Sequence, residues 1–514
     1  MQHEIEVAAL EAVEPGGMKQ VEADGEKILL LRDGDAVRAI GATCPHAGGP
    51  LVQGVRNGGR IVCPWHKAAF CIRTGAVQDP PALDALPRYD VRVDAGRILL
   101  AKPAPAPAAL PSVPDGRCFV IVGAGAVAAQ TLREEGFTGR VVMLDPANRV
   151  PYDRTVLSKY ALSGQKGAEK SPLQSQSFYR EHRIERRTAE VSRIDAQARR
   201  ITCADGAVVD YDAALLATGA APVLPPLPGA GLGHVYTLRS RADADAILAQ
   251  AERSTRAVVL GASFIGMEVA ASLRERGLDV TVVGKEAAPF AKQLGEQVGR
   301  AFVGLHERQG VAFRLGCGVA SLEGDRQVSG VVLDSGERLA ADLVVAGFGV
   351  KPATAYAEGL ARHDDGGIIV DATLRAASGL YAAGDIARFP HRGDGEPIRV
   401  EHWRVAEQHG RAAALNMLGR DARYDAVPFF WTIQYMKRLD YVGHAAAWDS
   451  TVLHGDLGKP EFLAYYVKDG RVAAAAGMGR DQDTAALIEL FARRRDWQAE
   501  ELGERPAAVL AALQ

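Results

Sequence analysis

Residues 118–136 read CFVIVGAGAVAAQTLREEG, and residues 257–277 repeat the pattern as AVVLGASFIGMEVAASLRERG. Each begins with a short unbroken apolar run, passes through a glycine turn and continues with helical spacing. Each is followed by another apolar run, VVML at 141–144 and VTVV at 280–283. Strand, glycine turn, helix and strand form a βαβ unit, which demands a parallel sheet with helices on its faces. Two such units predict two doubly wound α/β domains of the nucleotide-binding kind. In the first, Gly123, Gly125 and Ala128 stand as G-x-G-x-x-A, and Asp145 closes the next strand. The first glycine allows the tight turn, the second lets a pyrophosphate approach the backbone, and the acid can bind an adenosine ribose.

The rest of the chain reads differently. Residues 1–102 carry short alternating runs (KILLL, AVRAI, RIVC, RILLA) broken by DG, GG and NGG turns, the pattern of a small all-β domain. AKPAPAPAALPSVPDG occupies 101–116; its Pro-Ala repeat favours extended polyproline geometry and could span roughly 45 Å at about 3.1 Å per residue. We expect domain boundaries at 1–102, a linker at 103–116, a first nucleotide domain in two parts (117–240 and 365–424), a second at 241–364, and a small α+β domain at 425–514. The formal net charge of −3 gives no basic surplus for nucleic acid or anionic membrane. The N-terminal residues lack a signal-peptide pattern, and no apolar run is long enough to span a bilayer, so a cytoplasmic protein is expected. Six cysteines (44, 63, 71, 118, 203, 317) are too sparse for a disulfide scaffold.

Four residues in the β region have metal-ligand spacing. Cys44 and His46 lie in CPHAGG, and Cys63 and His66 in CPWH, a C-x-H and a C-x2-H separated by sixteen residues. Two cysteines and two histidines suit zinc. They equally suit a Rieske [2Fe–2S] centre, where two histidines replace two cysteines on one iron. Zinc fingers space their histidines with each other, whereas here each cysteine travels with its own histidine, which favours iron–sulfur. The segment HKAAFCIRTGAVQDPPALDALPRYDV (66–91) resembles the stretch after the second ligand loop of Rieske ferredoxins. Gly49 and Trp65 hold the places where respiratory Rieske proteins carry a disulfide, so the resemblance is to the ferredoxin type. That family commonly has glycine where this chain has Lys67. Cys71 has no partner at useful spacing and reads as a buried small hydrophobe. The resemblance leaves the second nitrogen of each histidine near solvent.

Further stretches resemble ferredoxin reductases and apoptosis-inducing-factor-like flavoproteins. They are PYDRTVLSK (151–159), LLATGAAP (215–222), TLRAASGLYAAGDIA (373–387), EHWRVAEQHG (401–410) and PFFWTIQ (428–434). The resemblance implies FAD contacts from Arg154, Lys159, Val191, Thr218, Gly219, Gly384, Asp385, Trp403 and Trp431, with Asp385 on the ribityl chain and Trp431 beside the isoalloxazine. It places the second nucleotide, NADH or NADPH, on Gly261, Ser263, Phe264, Ile265 and Gly266, with Glu268 near the nicotinamide, Glu286 at the ribose and Gly349 in the closing turn. Lys159 and Glu268 are the expected catalytic pair. Serine at 263 departs from the middle glycine, because its Cβ points where the pyrophosphate approaches. His402 and His409 read as packing or surface residues.

Over essentially the whole chain the sequence is similar to Rieske-fused ferredoxin reductases of the apoptosis-inducing-factor-like family. The implied fold is an all-β Rieske domain, two Rossmann-like domains for FAD and NAD, and an α+β reductase domain. The implied activity takes a hydride from the nicotinamide to FAD and delivers electrons singly to the cluster. An external acceptor, such as an oxygenase, cytochrome or ferredoxin, would then receive them. No two cysteines have the C-x-x-C or C-x4-C spacing of a disulfide reductase. Two other readings remain open: an NAD(P)H oxidase or quinone/dye reductase, and a redox-sensing protein.

Overall fold

The computed structural model describes residues 4–101, 115–164, 172–224, 226–392 and 395–513. The run at the start of the first repeat forms the strand Cys118–Gly123, in which Phe119, Val120, Ile121 and Val122 are all buried. A strand covered on both faces needs apolar side chains at every position, which is why the run does not alternate. It pairs in parallel with Arg140–Asp145 on one side and Ala213–Ala217 on the other. Ile184–Thr188 extends the first edge, and Leu380–Ala382 and Arg375–Ala377 extend the second. The chain therefore leaves this sheet after Ala217, builds a second domain and returns.

The second sheet runs Val235–Thr237, Leu343–Ala346, Arg256–Leu260, Asp279–Gly284 and Ala312–Leu315, all parallel. Val235–Thr237 lies upstream of the expected start at 241, because it pairs with Val344–Ala346. The crossing between domains is the antiparallel pair Ala220–Pro222 and Val350–Pro352. The expected linker at 103–116 lies outside the described residues except for its last two.

The N-terminal region has two antiparallel sheets. One holds Ile5–Ala9, Arg97–Ala101, Arg88–Asp94, Ala36–Gly41, Glu26–Asp33 and Met18–Ala23; the other holds Val55–Asn57, Arg60–Val62, Ala69–Cys71 and Val77–Asp79. The C-terminal region is a five-stranded antiparallel sheet, Phe429–Gln434 to Ser450–Asp456, with the helix Asp481–Arg493 packed on it. These two regions share a core: Val55, Val62 and Ala69 pack with Phe429, Trp431, Leu463 and Leu487. Among the described residues no helix is long and apolar enough to cross a membrane.

Candidate functional site

The four metal-spaced residues converge at the tip of the second N-terminal sheet. Cys44 and Cys63 are buried, and their sulfurs lie within hydrogen-bonding reach of each other. His46 Nδ1 and His66 Nδ1 face each other at 3.1 Å. The set thus forms a sulfur pair and a nitrogen pair, the donor arrangement of a two-iron cluster with cysteines on one iron and histidines on the other. Backbone bonds shape both loops: Cys44 N–H donates to Gly49 O at 2.9 Å and Cys63 N–H to Ala68 O at 2.8 Å. A Cβ at Gly49 would stand 2.6 Å from Cys63 Sγ, so only glycine leaves the sulfur its space. The hydrogen bond between the thiols raises Cys44 and lowers Cys63 to about 7. Burial holds both histidines below their ordinary range, so each offers the neutral imidazole that a metal requires.

His46 is half-buried and keeps part of its surface at solvent. His66 is buried, its ring lies 4.3 Å from that of Trp431, and His46 meets the same indole edge-on at 6.3 Å. The C-terminal sheet covers His66, because Trp431 projects from the strand Phe429–Gln434 toward the ligand loops. Cys71 is half-buried rather than buried, since it ends the strand Ala69–Cys71.

On the other side of Trp431 opens a cavity of about 320 Å³. Its lining contains Gly125, Ala128, Arg154, Lys159, Thr218, Gly219, Gly384, Asp385, Trp403 and Trp431 of the expected FAD set, together with Phe264, Ile265 and Glu268. Gly123, Asp145 and Val191 lie outside it, as do the second-domain residues Gly261, Ser263, Gly266, Glu286 and Gly349. Gly123 has φ +96°, and a Cβ there would meet Ala217 O at 2.4 Å. Gly125 is equally closed, with Ile121 Cγ2 at 2.8 Å. The cradle suits a bound dinucleotide, because several polar atoms on or beside it have no hydrogen-bond partner among the described residues: His402 Nδ1, Trp403 Nε1 and both Glu407 carboxylate oxygens. Burial, and then the charge of Asp153, pushes the Glu407 carboxyl well above the usual range. Alanine at Gly123 is expected to abolish FAD retention, since the turn needs both the left-handed φ and the missing Cβ. Absorbance of the purified variant near the flavin bands checks this.

Lys159 and Glu268 meet inside the cavity wall, with Nζ 3.0 Å from Oε2 and both side chains buried. Ser158 Oγ donates to the same carboxylate, and Thr432 Oγ1 donates to its other oxygen at 2.7 Å. Ser272 Oγ, on the same helix as Glu268, donates to Ser158 O at 2.7 Å. Glu268 therefore joins three regions of the chain at one point. Asp385 is paired with Arg239 Nη2 at 2.5 Å, a residue that no motif marks.

In the second nucleotide turn, Gly261 has φ +102° and its Cβ position lies 2.5 Å from Gly347 O. Ser263 caps the helix Phe264–Glu275: its Oγ accepts from Gly266 N–H and donates to Gly347 O, each at 3.2 Å. The serine departs from glycine because it serves as an N-cap. Lys285 and Glu286 are both exposed after the strand Asp279–Gly284, and Glu286 pairs with Lys292 at 3.3 Å. His409 is a packing residue whose Nδ1 accepts from Gly384 N–H at 3.2 Å. His402 instead lines the cavity.

Sequence reasoning missed Arg239, Glu407 and Arg404. The last is fully buried and donates to Pro80 O at 2.9 Å, far away in the chain. Nothing local signals it except an arginine on the apolar face of an amphipathic helix.

Residues 3–90 match the family model for the Rieske [2Fe-2S] domain, 119–410 that for pyridine nucleotide-disulphide oxidoreductase, and 429–513 that for the reductase C-terminal domain. Apoptosis-inducing factor 3 of Mus musculus is 36% identical, over 96% of this chain and 84% of that protein. Rhodocoxin reductase of Rhodococcus erythropolis is 34% identical, over 73% of this chain and 89% of its own length. The solved covalent putidaredoxin reductase–putidaredoxin complex superposes with a TM-score of 0.73 at 29% identity, covering 77% of this chain and 98% of that one.

Proposed function

Since the chain belongs to the pyridine nucleotide-disulphide oxidoreductase family and carries a Rieske [2Fe-2S] domain ahead of it, we propose that it moves electrons from NADH through FAD to its own cluster and on to an external acceptor protein. It is an FAD-dependent NAD(P)H oxidoreductase of the ferredoxin reductase type, with FAD, a Rieske cluster and NADH as its cofactors. The observation that carries the electron route is the position of Trp431, which lines the flavin cavity and packs on His66 at 4.3 Å. When bound, FAD supplies the conversion of one hydride into two single electrons, and the cluster supplies a one-electron carrier.

The protein's own residues hold and align. Gly123 and Gly125 would leave the FAD pyrophosphate room to approach, and the N-terminus of the helix Ala126–Glu134 would supply N–H groups for its phosphates. Phe264 and Ile265 line the cavity from the second domain, and Glu268 stands beside them, so these residues and Lys159 would hold the nicotinamide when it binds. Lys159 presents its ammonium within the cavity wall, anchored also on Thr155 O at 2.9 Å. Trp403 and Trp431 line the cavity, and Trp431 also packs on His66. The balance is one NADH and two oxidised one-electron acceptors, giving NAD⁺, one proton and two reduced acceptors. An oxygenase component, a cytochrome or a second ferredoxin meets that stoichiometry.

A stopped-flow experiment with NADH tests the reading by following flavin and cluster absorbance separately. The expected result is flavin bleaching and then cluster reduction within one turnover. A cluster that stays oxidised through many turnovers would overturn it.

A further inference from the structure

Lys67 stands in a place that its backbone makes expensive for any side chain. Its φ is +63°, the left-handed region that favours glycine. Its side chain is nonetheless completely buried, and its ammonium sits between its own loop and the C-terminal region. There Nζ lies 2.7 Å from Asp440 Oδ2, donates to Asp481 O at 3.2 Å and stands 5.5 Å above the Phe429 ring. It also donates back to Pro64 O within its own loop. The main chain of the same residue is held by a different region: Arg404 Nη2, on the helix lining the flavin cavity, donates to Lys67 O at 3.3 Å. The residue immediately before it is His66.

The socket is complete on the receiving side as well. Arg438 pairs with Asp440 Oδ1 at 3.1 Å and donates to Pro64 O at 3.3 Å, and Thr484 Oγ1 donates to Asp440 Oδ2 at 2.8 Å. Asn57 with Glu489 and Gln408 with Asp79 are part-buried contacts across this face, while Arg404 to Pro80 O and the shared apolar core are buried like Lys67. Lys67 ties the cluster loop to both neighbouring regions from a fully dry position.

From this geometry we infer that Lys67 is the positioning residue that locks the Rieske domain against the reductase, seating His66 on Trp431 and thereby setting the rate at which electrons cross to the cluster. The inference rests on the electron route proposed above. A tethered domain that is not locked still meets the flavin, but only at the effective concentration its linker allows. A locked one is always in register. The strained backbone at 67 is kept because a glycine, though relaxed, carries no ammonium for Asp440.

Lys67→Gly is the direct test in the full-length holoprotein, since glycine suits the left-handed turn and leaves the ligands untouched. Iron, sulfide and FAD content should match wild type, and flavin bleaching by NADH should stay unchanged. Cluster reduction should slow by at least about tenfold, the loss expected when a fixed contact becomes a tethered encounter. Small-angle scattering should show a larger maximum dimension. Asp440→Asn, remote from the ligand loops in sequence, should reproduce both changes and guards against a loading defect in the first variant. Wild-type crossing rates with unchanged scattering in both variants would overturn the inference. So would slowed crossing with unchanged scattering, which would place the effect of Lys67 on the cluster itself. If the wild-type cluster is never reduced by NADH, the electron route fails instead, while scattering still reports whether Lys67 locks the domain.

Discussion

Serine at position 63 is expected to strip the protein of its cluster, taking iron and acid-labile sulfide from about two of each per chain to background. Cys63 is buried, its sulfur fills the space left by Gly49, and the backbone N–H groups of Trp65 and His66 point at it. A hydroxyl is a harder and weaker ligand for iron than a thiolate, and it cannot restore that donor. Changes to groups that merely support a metal ligand cost about ten- to a hundredfold, so loss of a ligand should cut acceptor reduction through the cluster by at least about a hundredfold. Flavin bleaching by NADH should persist, because the flavin cavity lies on the far side of Trp431. Metal and sulfide analysis with parallel assays on a protein acceptor and ferricyanide reads both outcomes. An unchanged acceptor rate would show that electrons leave directly from the flavin. Stoichiometric zinc without sulfide in the wild type would remove the Rieske assignment itself.

Lys159→Met is the second large effect, and it is one of stability as well as turnover. The ammonium and the Glu268 carboxylate are both buried, and removing one partner strands the other in a dry site. Such a change costs about 3–5 kcal/mol. For a domain of this size that corresponds to a fall on the order of 10 °C in the temperature at which flavin is released. Lys159→Met combined with Glu268→Gln should recover most of the loss, because the amide can still accept from Thr432 without carrying an unpaired charge. Release of flavin fluorescence on heating measures both variants against wild type. Equal losses in the single and double variants would mean that Lys159 acts by packing alone. The rate of flavin reduction by NADH should fall in both, since both alter the cavity wall facing the nicotinamide.

The glycine turns are legible in the sequence because their constraint is local. Gly123 and Gly261 sit where a strand must turn sharply into a helix, and a motif of a few residues records that requirement. The cysteine and histidine ligands are legible for the same reason, as two paired loops. Ser263 reads as an obstruction, since its spacing cannot reveal that the side chain turns back to cap its own helix. Nothing in CPHAGG or CPWH announces the strand that covers His66. The Val235–Thr237 strand falls on the wrong side of the expected boundary, because its partner, Leu343–Ala346, lies far along the chain.

By itself the sequence determined which groups this protein has: two glycine-rich turns, four metal-spaced cysteines and histidines in two loops, a lysine and a glutamate, and their order. Each depends on a few adjacent residues and so is preserved in the order of the chain. The tertiary structure decided how they are connected. Trp431 against His66, Lys67 against Asp440 and Glu268 among Lys159, Ser158 and Thr432 are contacts between regions remote in sequence. The first two exist only because burial of Val55, Val62 and Ala69 against the C-terminal core brings the Rieske loops against that region. Hydrophobic burial is non-directional and leaves no local pattern naming its partner. That is why the donors could be read from the chain, but the path between them could not.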